Sequence, residues 1–113
     1  DDKLGTPTYT LDFARNVELI MKLKYWGLYN LVCKGITSRL EVAQKILKIL
    51  NSEHEIKLNS VSSDFFKKDY FAPRPYSERL VTRKIDLRQI NIMRTWEIAL
   101  KEYINEYYSD LII

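Results

Sequence analysis

Gly27-Leu28-Tyr29-Asn30-Leu31-Val32-Cys33-Lys34-Gly35-Ile36-Thr37-Ser38-Arg39-Leu40-Glu41 is the stretch on which the fold reading turns. Leu28 to Cys33 is a short apolar run bounded by Gly27 and Gly35, with no polar face of its own. A run of that length between turn formers predicts a buried strand. Ser38, with Glu41 three residues on, is a capping box. Leu40, Ala43, Ile46, Leu47 and Leu50 then share one face of a helix that Asn51 and Ser52 stop. Ile56, Leu58 and Val61 mark a second strand. Strand, helix, strand with short connections is a βαβ unit, whose strands are expected to be parallel with a right-handed crossover.

Upstream, Thr10 is the predicted N-cap of a helix carrying Phe13, Ala14, Val17, Ile20 and Met21 on one face and ending before Gly27. Downstream, residues 62–83 read as irregular and 84–92 as ambiguous. From about Thr95 a final helix carries Trp96, Ala99, Leu100, Tyr103, Ile104 and Tyr107 on its apolar stripe. The expected class is α/β, in the form of a small α+β-like lobe. About three helices surround a small parallel βαβ core, in a single domain over residues 1–113. So small a sheet leaves open edges, which are expected to be covered by another part of a longer parent protein.

Composition narrows the function. With 46% apolar and 29% charged residues the chain reads as soluble and globular. No apolar run approaches the roughly 20 residues of a membrane span. The net charge of +3 comes from 18 basic and 15 acidic residues that are interleaved, so a nucleic-acid groove is not expected. The lone Cys33 cannot form an internal disulfide and sits in an apolar run, which fits a buried thiol and a cytoplasmic setting.

Catalytic chemistry is thin. His54 is the only histidine and stands among Ser52, Glu53 and Glu55, in a solvated turn with no second ligand for a metal. Three scattered glycines cannot assemble a dinucleotide loop, and no tyrosine is followed four residues later by lysine. One cation stands out. Arg74 lies between Pro73 and Pro75, which fix φ and stiffen the loop that presents it. Either it binds an anion through its planar donor fork or it ties the loop to backbone carbonyls. Trp96 reads as a core anchor, and the C-terminal Tyr107-Tyr108 and Leu111-Ile112-Ile113 as an apolar end able to dock on a partner domain or subunit.

Three pieces, in order, carry a resemblance. They are Gly5-Thr6-Pro7-Thr8-Tyr9-Thr10 with Asp12 and Ala14; Gly27-Leu28-Tyr29-Asn30 with Gly35-Ile36-Thr37-Ser38, Glu41 and Ala43; and Phe71-Ala72-Pro73-Arg74-Pro75-Tyr76-Ser77-Glu78-Arg79-Leu80 with Lys84 and Trp96. Together they are similar to the C-terminal end of the dTDP-4-dehydrorhamnose reductase family, within the extended short-chain dehydrogenases. The resemblance implies a substrate-binding lobe for a nucleotide sugar. The cofactor, NADH or NADPH, is then bound by an N-terminal Rossmann domain and not by these residues. It implies that Arg74 contacts the substrate diphosphate, with Tyr76 and Ser77 beside it. Thr8 and Tyr9 lie where the chain crosses between domains, as hinge and helix start or as ligand contacts. Many family members carry tryptophan after the serine of the capping box, whereas this chain has Arg39. The partners implied are the nucleotide sugar and the Rossmann domain, with a homodimer allowed and neither nucleic acid nor membrane expected. The substrate lobe of another nucleotide-sugar epimerase or dehydratase, and a non-catalytic reductase-like module, stay open as alternatives.

Overall fold

A computed structural model describes residues 2–68 and 75–113. The order is β1 (Leu4–Gly5), α1 (Thr10–Lys22), β2 (Thr37–Ser38), α2 (Arg39–Leu50), α3 (Arg83–Leu87) and α4 (Trp96–Tyr107), with short 3-10 turns at Ser63–Phe66 and Ser109–Leu111. The class is the expected mixture of helices and a small sheet, with four helices among the described residues where about three were expected.

The sheet itself differs from the sequence reading. β1 and β2 pair antiparallel, Leu4 opposite Ser38 and Gly5 opposite Thr37. Residues 28–33 and 56–61 form no strand, so the parallel βαβ core is corrected to this antiparallel pair. The physical reason is that each strand of a βαβ unit needs the other as its ladder partner. After α2 the backbone closes a turn instead, Glu55 and Ile56 both donating to the Ser52 carbonyl. That turn leads into 56–58, where Ile56 and Leu58 are exposed. Ala43, Ile46 and Leu47 accordingly have no sheet to cover them and are half-buried on a helix that packs against α4.

Helix ends are set by local chemistry. The capping box forms as predicted: the Glu41 amide donates to Ser38 Oγ at 3.2 Å and the Ser38 amide to Glu41 Oε2 at 2.9 Å. α1 begins at Thr10, with Tyr9 as its cap, and stops at Lys22, earlier than expected. Lys24 takes a left-handed φ of 56°, its amide bonding the Met21 carbonyl while that of Tyr25 bonds Ile20. This is a Schellman ending built on lysine instead of glycine. Asn51 and Gln89 close α2 and α3 with the same left-handed turn.

The core sits between α1, α3, α4 and the extended segment before β2. It holds Ile20, Cys33, Ile85, Met93, Trp96 and Ala99, with Tyr29, Leu31 and Leu100 packed against it. Trp96 is the anchor its helical position predicts. Gly35 lets it seat: at φ 100°, a Cβ there would lie 2.9 Å from Trp96 Cδ1. Buried Asn16 ties α1 to the segment before α4, donating to the Ile90 carbonyl at 3.1 Å and accepting from the Ile92 amide at 3.2 Å. A buried amide with both ends satisfied adds specificity at little cost.

Candidate functional site

β1 is bonded on both sides. Besides β2, the Leu4 amide donates to the Tyr76 carbonyl at 2.8 Å, and the Leu4 carbonyl accepts from the Glu78 amide at 2.8 Å. This parallel rung sets Leu4 beside Ser77. Tyr76 and Ser77 therefore join the ladder whose central segment runs on through Thr6 and Pro7 to Thr8 and Tyr9. Four of the five expected site residues lie on, or directly continue, one three-segment ladder. The fifth, Arg74, falls outside the described residues.

The side chains divide by role. Thr8 Oγ1 accepts the Cys33 amide at 3.3 Å and lies 3.4 Å from the Thr6 carbonyl, so it ties the crossing segment to the core. Tyr9 caps α1 and meets Tyr103 edge-on, ring centroids 5.8 Å apart. Its hydroxyl is buried without a hydrogen-bond partner among the described residues, and burial, then nearby Tyr107 and Glu106, raise its pKa. Tyr76 is 75% exposed, with Lys3 Nζ 4.2 Å from its ring centroid. Ser77 Oγ accepts Arg79 Nε at 2.8 Å.

Lys3 precedes Leu4, Arg39 follows Ser38, and Tyr76 precedes Ser77. The two registers put all three at the same end of the ladder. Here Lys3 lies over the exposed Tyr76 ring, and Arg79 is held on the Ser77 hydroxyl next to it in sequence. That chemistry suits an anionic ligand with a flat or sugar-like body. Lys3 and Arg79 carry no local sequence signal for such a role. Strand pairing brings Lys3 to the tyrosine, while a local bond holds Arg79 on Ser77.

A second depression, of about 420 Å³, is lined by Leu28, Tyr29, Asn30, Val81, Arg83 and Lys84, among others. Lys84 Nζ donates to the Leu28 carbonyl at 2.8 Å and lies 5.0 Å from the Tyr29 ring centroid, while Arg88 lies 4.7 Å from that of Tyr25. Elsewhere His54 is exposed, and no group of three metal-ligating side chains occurs among the described residues. Burial raises the Cys33 thiol pKa, which keeps it protonated and unreactive. Among the described residues no helix is long and apolar enough to cross a membrane.

Comparison with known proteins gives a consistent result. The model of the RmlD substrate binding domain matches residues 1–109. The spore coat polysaccharide biosynthesis protein SpsK of Bacillus subtilis (strain 168) is 35% identical over 110 residues, 96% of this chain and 36% of its own length. A dTDP-4-dehydrorhamnose reductase from Clostridium acetobutylicum superposes with a TM-score of 0.86 at 32% identity, over 93% of this chain and 36% of that one. The enzyme of the same name from Bacillus anthracis, solved in complex with NADP, gives 0.81 at 25% identity, over 94% and 36%. That from Yersinia enterocolitica gives 0.80 at 24%, again over 94% and 36%, which speaks for the fold alone. The chain thus spans about a third of the length of the relatives it matches.

Proposed function

The chain belongs to the RmlD substrate binding domain family, and we propose from this that it binds the nucleotide sugar for a reductase of the dTDP-4-dehydrorhamnose type. The reaction assigned is reduction of the 4-keto group of a deoxysugar nucleotide, in the making of dTDP-L-rhamnose, in the cytoplasm. The observation that supports this reading most is the ladder of β1 with β2 and Tyr76–Glu78, inside a stretch that matches the family from end to end.

These residues do not fit a dinucleotide. Gly5, Gly27 and Gly35 are far apart in sequence, and no Tyr-x-x-x-Lys pair is present. The hydride donor, NADH or NADPH, is assigned to a Rossmann domain elsewhere in the polypeptide. This chain's part is binding and orientation. Tyr76 offers a ring face and Ser77 a hydroxyl, and Arg74 supplies a fork for phosphate oxygens from its Pro-flanked loop. Holding the diphosphate fixes where the ketone stands, which lowers the entropic cost of the transfer.

Calorimetric titration of the whole polypeptide with dTDP-L-rhamnose and with UDP-glucose tests this. Saturable binding of the first at least tenfold tighter than of the second is expected. Equal affinity, or no binding of either, overturns the reading.

A further inference from the structure

We propose that Asp2 is a positioning residue for the nucleotide sugar: it anchors the Ser63 end of a segment whose other end, at Tyr76–Glu78, is paired with β1. The inference rests on the functional reading above and deepens it. Asp2 meets Ser63 twice across 61 residues of sequence. Its Oδ1 accepts the Ser63 amide at 2.8 Å, and its Oδ2 accepts the Ser63 hydroxyl at 2.7 Å. Two residues on, Leu4 takes the other end, its amide and carbonyl bonding the Tyr76 carbonyl and the Glu78 amide, each at 2.8 Å. Lys3, between them, lies over the Tyr76 ring. The short run from Asp2 to Leu4 therefore holds both ends of the segment that leaves at Ser63 and returns at Tyr76.

The two ends are held differently. Tyr76 and Glu78 are fixed by backbone bonds, which most side-chain changes leave in place. Ser63 opens the 3-10 turn Ser63–Phe66, which buries none of its residues, so little packing holds it there. The Asp2 carboxylate supplies that hold. Bonds to an ionised acceptor are strong, and the Ser63 hydroxyl in turn keeps the Asp2 carboxyl below its ordinary value of 3.8. A carboxylate has no attraction for a diphosphate, so Asp2 acts through Ser63 and not on the ligand. A segment tied at both ends loses less freedom when a ligand orders it than one tied at a single end. Release of Ser63 leaves only a fraction of molecules competent to bind, and apparent affinity falls by that fraction. Turnover of the filled site is unchanged, because the same complex forms once the ligand is bound. By sequence the segment includes Arg74, the fork assigned above to the diphosphate.

Variants of the whole polypeptide test this, by calorimetry with dTDP-L-rhamnose and by turnover at saturating dTDP-4-dehydro-L-rhamnose with NADPH or NADH. Asp2→Ala is expected to weaken binding at least about fivefold, with turnover within about twofold of the unsubstituted protein. Asp2→Asn can still accept the Ser63 amide and donate to its hydroxyl, and should restore affinity to within about twofold. Ser63→Ala loses one bond of the two and should fall between them, which settles the matter where Asp2→Ala does not fold. In an Arg74→Ala background the loss from Asp2→Ala should shrink below about twofold. Unchanged affinity with a lower melting temperature overturns the proposal, as does a turnover loss that matches the affinity loss. An Asp2→Asn variant as weak as Asp2→Ala, or an equal loss in both Arg74 backgrounds, overturns it too. Failure of the unsubstituted protein to bind dTDP-L-rhamnose sinks the nucleotide-sugar reading and this role with it. Binding that Asp2→Ala leaves untouched sinks the role alone.

Discussion

Arg94 grips Asp12 across 82 residues of sequence, Nε donating to Oδ1 and Oδ2 at 3.1 and 2.9 Å and Nη2 to Oδ1 at 2.7 Å. Its remaining arm, Nη1, bonds Glu102. One guanidinium thus locks the first turn of α1, the entry to α4 and the middle of α4. Asp12 is only 2% exposed, so its charge is stabilised by this fork and by little water.

Removing the fork leaves that carboxylate buried without a hydrogen-bonding cation, Arg15 Nη1 standing off at 3.6 Å. Arg94→Met is expected to cost about 3 kcal/mol of unfolding free energy, measured by urea denaturation. Arg94→Lys should recover only part, because a point charge cannot bond both oxygens and Glu102 together. A loss below about 1 kcal/mol for Arg94→Met would show the cluster to be a surface decoration.

Acid should loosen the same clasp. Arg94 holds Glu102 below the ordinary glutamate value of 4.5, and Asn91 then Thr82 hold Asp86 below 3.8. A carboxylate whose folded pKa is depressed contributes stability above its unfolded pKa and loses it as pH falls through the folded one. Melting temperature should therefore be level from pH 7 to 5 and decline below about pH 4.5. In Glu102→Gln the decline should be shallower, as differential scanning fluorimetry across that range would show.

Gly35 carries a sharper steric prediction. Gly35→Ala combines a positive φ with a Cβ 2.9 Å from Trp96 Cδ1, against a side chain fixed in the core. A loss of about 2 kcal/mol is expected. Gly5→Ala is the control, since nothing lies within 4 Å of its Cβ position. Near-equal melting temperatures for the two variants would contradict the packing.

Lys24 offers the opposite sign. It holds a left-handed φ at the end of α1 with two backbone bonds closing the turn. Lys24→Gly removes the Cβ penalty at that position and should raise stability by about 1 kcal/mol. An unchanged or lower urea midpoint would mean that unfolded-state entropy outweighs the relief.

Which of these features were legible beforehand follows from their range along the chain. The capping box at Ser38 and Glu41 and the burial of Trp96, Ala99 and Ile104 on the stripe of α4 were readable, because each is decided within a few residues, whereas Tyr103 and Tyr107 of the same stripe are exposed. The sheet was not. Leu28–Cys33 has a strand's composition, but its ladder partner does not lie in residues 56–61, and no local signal marks Leu4–Gly5 as the strand that β2 chooses. The Asp12–Arg94 clasp escaped for the same reason: on a helical wheel Asp12 reads as solvent-facing. For the candidate site, Thr8, Tyr9, Tyr76 and Ser77 were named through family resemblance. Lys3 needed the ladder.

Arg74 carries the last prediction, and it separates binding from scaffolding. In the whole polypeptide, Arg74→Ala is expected to raise the Michaelis constant for the nucleotide sugar more than it lowers turnover. A diphosphate contact remote from the ketone is worth the same in ground and transition states. Losing one charge-assisted bond should cost about 1.5–3 kcal/mol, roughly ten- to a hundredfold in affinity. Arg74→Lys should restore a fraction, since lysine keeps the charge and loses the planar fork. A loop tie predicts the reverse: a lower melting temperature with near-normal affinity in the protein that still folds. Measuring melting and affinity on the same variant discriminates, and unchanged affinity with reduced stability would assign Arg74 to the loop and leave Tyr76, Ser77 and the cations beside them to hold the ligand.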